Sequence, residues 1–229
     1  MLLKEWLYTK LFWRHLLMQV ALASWYPIAR LVSPGQTKDY ADTAQASLGI
    51  SLSMVCIFVI GERMRFESPP GPGLLMLKAS GGSRRVVPAK WLFDTPLLLI
   101  AMLPPVLLTS ARYDLLGLFD TIVVLLLGAY LATVGYVLGA LSRLPIGVLV
   151  LMMIGIGSSV AMASLGEGHT GLLQDLCWVP MLGVYAEISL IIAHEGAYLP
   201  PLVWMAVQGV GLLSLSSLGL QRLLTRQLR

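Results

Sequence analysis

Residues 115–141 read LLGLFDTIVVLLLGAYLATVGYVLGAL, with Asp120 as the single charged side chain. A helix needs about 20 apolar residues to cross the hydrocarbon core of a bilayer. The apolar positions here follow one another without the polar–apolar alternation of a barrel strand, so the stretch reads as a spanning helix. Similar runs flank it on both sides, at 16–32, 44–61 and 91–111 before it and at 146–165, 176–193 and 198–220 after it. The whole chain agrees: 57% of its 229 residues are hydrophobic and 12% charged, with a mean hydropathy of +0.79. A soluble domain is about a quarter charged. The sequence therefore predicts an all-α polytopic membrane protein with no space for a folded soluble domain of ordinary size.

Residues 1–15 alternate Leu2, Leu3, Trp6, Leu7, Leu11, Phe12 and Trp13 with Lys4, Lys10 and Arg14. That mixture suits an amphipathic helix lying in the membrane interface. The run ending in Ala21-Leu22-Ala23 has the outline of a cleavable leader, but is expected to be a retained first span. Lysine and arginine in the loops set the orientation. With the N-terminus inside, the positive charges of the head, of 62–90, of Arg143 and of the tail all fall inside, leaving only Arg30, Lys38 and Arg112 outside. Asp39, Asp42, Asp114, Asp120, Glu167, Asp175, Glu187 and Glu195 fall outside.

Seven crossings would put the basic tail outside. The run 176–193 contains Pro180, Gly183 and Glu187, and an ionisable residue in mid-membrane is expensive. It is expected to be a re-entrant hairpin, leaving six spans with both ends cytoplasmic in the cell (inner or plasma) membrane. The domain plan is then an interfacial helix at 1–15, a membrane domain at 16–222 and a basic tail at 223–229. The cytoplasmic segment 62–90 and the hairpin 176–193 lie within that membrane domain.

Few residues suggest chemistry. Gly155 to Ser159, with His169 and His194 downstream, is the one arrangement suggestive of an intramembrane serine protease. A serine nucleophile needs a base within hydrogen-bond reach, and both histidines fall in or beside outer polar loops. Small residues in a span are the usual means of helix packing, and Gly135-xxx-Gly139 is read the same way. Glu167 with His169 and His194 with Glu195 lack a metal-ligand spacing. There is no phosphate-binding GxxxxGK[ST] loop and no folded basic domain for nucleic acid. Cys56 and Cys177 lie in separate apolar runs and are expected to stay unpaired. Neither a catalytic residue nor a bound metal or cofactor is expected in this chain.

The informative polar stretch is GERMRFESPPGPGLLMLKASGGSRRVVPAKWL, residues 61–92. Pro69, Pro70 and Pro72 break any helix. A short apolar helix is then expected at 74–79, followed by a Gly81-Gly82 turn and the basic pair Arg84 and Arg85. Such a helix could dock in a groove of a soluble partner or rest on anionic lipid, and composition favours neither.

The stretch resembles the signature region of the type-2 ATP-binding-cassette exporter permeases. Glu62 and Glu67 stand at the acidic positions that close the second span, and Leu74, Leu75 and Leu77 at the leucines of the coupling helix. Ala79-Ser80-Gly81 fall at the turn, Ser83-Arg84 at the Ser-Arg pair and Ala89-Lys90 at the Gly-Lys. The proline cluster replaces the usual Gly-Thr, the turn lacks its proline, and Ala89 replaces a glycine. The resemblance implies a non-enzymatic permease subunit. It would pair with a second copy or a relative and dock a separate ATPase, which carries the ATP and Mg, through Leu74, Leu75, Leu77, Arg84, Arg85 and Lys90. It also implies that spans two and five line the path, placing Ser47, Ser51, Met54, Met152, Met153 and Ser158 near a cargo. A lining of methionines and hydroxyls suits an amphipathic, peptide- or lipid-like cargo. The readings from other classes are a membrane assembly or maturation factor and the intramembrane protease above.

The topology has a direct check. In intact cells a Thr225→Cys variant is expected to resist a membrane-impermeant thiol reagent until the membrane is opened. Labelling from outside would remove the six-span arrangement.

Overall fold

The computed structural model describes residues 45–46, 48–59, 61, 88, 91–92, 94–96, 98–100, 102–104, 106–107, 117–141, 145–165, 169–193, 195 and 199–227. The expected interfacial helix, the first span and all of 62–90 except Pro88 lie outside these residues. So do Glu62, Glu67, Leu74, Leu75, Leu77, Arg84, Arg85, Lys90 and Ser47. Among the described residues every regular element is a helix and there is no strand.

In chain order the helices are α1 (Leu48–Ile57), α2 (Asp94–Pro104), α3 (Leu118–Leu141), α4 (Pro145–Leu165), α5 (Thr170–Leu176), α6 (Leu182–Ile192) and α7 (Leu199–Gln227). From Ser53 onward α1 is wound as a π-helix, which runs on past Ile57 to Val59. Among the described residues, three helices carry windows long and apolar enough to cross a membrane: Leu118–Gly139, Ile146–Leu165 and Leu199–Leu218. The first, at 22 residues, is about 33 Å long, against about 30 Å for the hydrocarbon core.

Local chemistry accounts for the ends of these helices. The Gly117 N–H donates to Asp120 Oδ2 at 3.0 Å, and the Thr121 N–H donates to the Gly117 carbonyl at 2.9 Å. The aspartate thus satisfies an orphan N–H in half of a capping box, with its charge toward the positive end of the helix. Helix α4 opens on Pro145 and α7 carries Pro200 and Pro201 in its first turn. There the missing N–H groups have no carbonyl to bond.

Helix α3 is the centre of the bundle. Two thirds of its apolar window is buried (67%), against 28% for α4 and 22% for α7. It packs extensively on α1 and α7 and more lightly on α4 and α6. Leu127, Leu131 and Tyr136 are buried in its core with Leu48, Leu52 and Ile57 of α1, Leu98 and Met102 of α2 and Tyr185 of α6. The Trp91 indole donates to Thr133 Oγ1 at 2.9 Å, and the Tyr130 hydroxyl donates to Gln208 Oε1 at 2.9 Å. Outward faces are apolar as well. Ile146, Leu149, Val150, Met153 and Ile154 of α4 and Val203, Val207, Val210 and Leu215 of α7 are all exposed, as expected of helices solvated by lipid rather than water.

Two boundaries differ from the sequence reading. Where a hairpin over 176–193 was expected, the structure has two helices, α5 and α6, and α5 begins at Thr170, within the stretch read as a polar loop. Its exposed positions include Gly171, Leu172, Gln174 and Asp175, while Leu173 alone is fully buried. One buried position in seven residues leaves little apolar periodicity to detect. At the other end α7 runs on to Gln227, into residues read as a tail from 223. Leucines alternate there with Arg222 and Arg226, and both residue types propagate a helix well.

The α1–α3 contact is unusually close. A Cβ at Gly135 would stand 2.7 Å from the Ile57 carbonyl oxygen and 2.8 Å from that of Cys56, and one at Gly139 would run into the Gly61 carbonyl. The small-residue spacing Gly135-xxx-Gly139 thus does what the sequence suggested. Gly139→Ala is expected to destabilise the detergent-solubilised protein by about 1–3 kcal/mol, because backbone must move to admit the methyl. Gly211→Ala meets nothing within 4 Å and is expected to cost nothing, since alanine is the better helix former by about 1 kcal/mol. Equal shifts in the two thermal unfolding midpoints would contradict the packing.

Candidate functional site

Helices α1, α4 and α6 meet along a buried seam of hydroxyl and amide groups in surroundings that are otherwise apolar. Helix α6 is enclosed, with every residue from Gly183 to Ile192 buried. Its Tyr185 hydroxyl shares a hydrogen bond with Ser53 Oγ of α1 at 2.7 Å, and Ser53 Oγ also bonds the Gly49 carbonyl at 2.8 Å. One turn along α6, Ser189 Oγ donates to the Tyr185 carbonyl at 2.9 Å and accepts from Gln45 Nε2. From α4, Ser159 Oγ donates to the Ala46 carbonyl at 3.2 Å.

Two glycines bring the backbones close enough for these bonds. A Cβ at Gly155 would collide with the Tyr185 hydroxyl and stand 2.7 Å from Ser53 Oγ. A Cβ at Gly49 would collide with Ser159 Oγ. Buried hydroxyls in an apolar interior need partners, and here each hydroxyl finds one on a neighbouring helix or in its own preceding turn.

The α5–α6 hairpin closes the seam at one end. The chain reverses over Cys177–Met181, where the Leu182 N–H donates to the Pro180 carbonyl at 2.8 Å. Met181 between them has φ 67° and ψ −52°. This is a γ-turn of the strained, positive-φ kind, costing roughly 1–3 kcal/mol at a residue with a side chain. Beside it a Cβ at Gly183 would collide with the Cys177 carbonyl and stand 2.7 Å from Met205 Cε of α7. The Cys177 thiol donates to Glu187 Oε2 at 3.1 Å, and both residues are buried. Cys56 and Cys177 are free thiols, as the sequence suggested.

Of the residues expected along a path, five are described. Ser51 is buried and Met54 half-buried on α1. On α4, Met152 packs against the core, and Ser158 Oγ donates to the Ile154 carbonyl at 2.7 Å. Met153 lies on the exposed face of α4. Helices α1 and α4 do pack together, but the pairing between them runs through Gly49, Ser53, Gly155 and Ser159. Gln45, Ser53, Tyr185 and Ser189 were not anticipated. The nearest signal was Gly155 to Ser159, read as packing, which is how Gly155 behaves. Ser159 Oγ lies against the Ala46 carbonyl, while a His169 ring nitrogen, exposed, lies 2.8 Å from the Leu165 carbonyl. Among the described residues no three of His, Cys, Asp and Glu cluster as metal ligands would.

The seam can therefore bind helices to one another and align hydroxyls along an apolar interior. Compared with known proteins, the chain matches no family model, no curated protein and no solved structure.

The seam makes a quantitative prediction. In a double-mutant cycle of Ser53→Ala and Tyr185→Phe, a coupling of about 0.6 kcal/mol, and at most about 1.7, is expected for an interhelical hydrogen bond in a membrane protein. Strictly additive losses in unfolding free energy would show that the two hydroxyls do not pair.

Proposed function

We propose that this chain is the membrane-spanning subunit of an ATP-driven exporter for an amphipathic, peptide- or lipid-like cargo, working by alternating access. The observation that carries this reading is the position of α1. It packs on α3 and α4 and is hydrogen-bonded to α6, and it leads into residues 62–90, whose sequence resembles an exporter coupling segment. A pull on those residues would pass into a helix that packs on both α3 and α4 and is bonded to α6.

In this reading the chain sits in the cell membrane with six spans and both ends cytoplasmic. A separate ATPase subunit binds and hydrolyses MgATP, and a second permease copy or a relative completes the path. Two features support the hairpin as re-entrant. Helix α6 has 11 residues, about 16 Å of rise, roughly half of what a crossing requires. It also carries the buried Glu187, which bulk lipid would not accept. The hydroxyl seam supplies the alignment of helices that a transport path needs, and Ser51 and Met54 lie on the helix that carries its first half.

The test is on the coupling stretch. Leu75→Asp with Leu77→Asp would bury unpaired carboxylates in the docking contact, at several kcal/mol, and is expected to abolish co-purification of an ATP-hydrolysing subunit with the tagged chain. Arg84→Glu with Arg85→Glu is expected to weaken that complex in a salt-dependent way, since rim charges act mainly on encounter and orientation. Wild-type yield of the complex from the aspartate variant would refute the assignment.

A further inference from the structure

Helix α1 is held differently at its two ends, and the change falls at its π-helical turn. N-terminal to that turn the ties are hydrogen bonds. Gln45 bonds Ser189, the Ala46 carbonyl accepts from Ser159, and Ser53, the first π-wound residue, bonds Tyr185. At Cys56, Ile57 and Gly61 the close contacts are apolar or backbone-to-glycine: Cys56 and Ile57 against Gly135, and Gly61 against Gly139 and Val148. Glycines present no ridge to lock into a groove, so this side of α3 is a smooth surface on which a helix can turn.

A π-turn holds one residue more than an α-turn and is frequent at functional positions. Amphipathic helices resist a change of register because it would expose an apolar face. Here Leu52, Val55, Cys56 and Ile57 are all buried, and the sequence SMVCIFV carries a single polar side chain, Ser53, at its start. Sliding this stretch by one residue replaces one apolar contact with another, so burial does not select between the two registers.

We propose that Ser53–Val59 is a swivel, in which the π-turn interconverts with an α-turn while the N-terminal half of α1 stays tied to α4 and α6. Each conversion turns the C-terminal end of α1 by about 100° and shifts it by about 1.5 Å, the angle and rise of one residue. It thereby changes the direction in which the chain leaves for residues 62–90. The coupling of the swivel to an ATPase rests on the permease reading; the swivel itself does not, and its test reads this chain alone.

In the π register a Cβ at position 128 stands 3.6 Å from Cys56 Sγ, so Gly128→Cys should form a disulfide with the native Cys56 thiol. In the α register the residue before it takes that place, and a triple variant Val55→Cys, Cys56→Ala, Gly128→Cys should cross-link. Ile57→Cys in the same Cys56→Ala, Gly128→Cys background faces position 128 in neither register and sets the background. The full-length chain in lipid nanodiscs is oxidised and the products assigned by peptide mass. Oxidation traps a minor state, so the Val55→Cys product is expected to accumulate about 10- to 1,000-fold more slowly than the Cys56 product, for a minor register populated at about 0.1–10%. A Val55→Cys rate no higher than that of the Ile57→Cys control overturns the swivel. A second measurement covers the case in which Gly128→Cys disturbs folding. Isotope labelling of cysteine carbonyls and isoleucine amides in the wild-type chain selects one signal, from the Cys56–Ile57 peptide. Exchange broadening or doubling of that signal is expected, and a single line as narrow as those from α3 overturns the proposal.

Discussion

The approach of α1 to α3 fixes the spacing on which the other contacts depend. Where Cys56 and Ile57 meet Gly135, and Gly61 meets Gly139, two backbones touch without intervening side chains. Helices usually pack about 8–10 Å apart, and side chains at those glycines would hold these two farther apart. At the observed separation, Ser53 reaches Tyr185 and Ser159 reaches the Ala46 carbonyl. Small residues thus supply the geometry, and hydroxyls supply bonds that are specific about which helices meet. The division matters in an interior where apolar contact alone distinguishes poorly between one neighbour and another.

The enclosure of α6 is a result of the same arrangement. With α1 drawn in against α3, a slot bounded by α1, α3 and α4 is left for a helix without an outward face. The occupant carries Tyr185 and Ser189 toward α1 and places Glu187 within reach of the Cys177 thiol. A polar group so enclosed is acceptable only with a partner. The reversal at Cys177–Met181 returns the thiol to the carboxylate, and the positive φ of Met181 is a cost of making that reversal so tight.

Helices α3, α4 and α7 were legible in the sequence because each is a continuous apolar run with few charges. The break inside 176–193 was legible from Pro180, Gly183 and Glu187, residues that a plain spanning helix avoids. The first arm of the hairpin was not, since Thr170–Leu176 buries one leucine and shows little periodicity. The π-turn was not legible either: SMVCIFV is uniformly apolar after Ser53 and carries no local signal that separates a π from an α winding. Gly135 and Gly139 announced a close contact without naming the partner, and the pairing of Ser53 with Tyr185 spans a separation of 132 residues that only the assembled bundle brings together. The segment 62–90, with the residues on which the exporter resemblance rests, lies outside the described part of the chain apart from Pro88.

The near-total burial of α6 also bears on the order in which the chain can be assembled. Its main packing partners, α3, α4 and α5, and the residues bonded to it, Gln45 just before α1 and Ser53 within it, all precede it in the sequence. The Met205 side chain against Gly183 is a contact contributed later, by α7. A chain emerging at about 5–20 residues per second therefore has the three walls of the slot available before Leu182 appears. Helix α6, short and bearing a buried carboxylate, arrives when its site exists. Vectorial synthesis and the final packing are thus compatible without a waiting intermediate in which Glu187 lacks its surroundings.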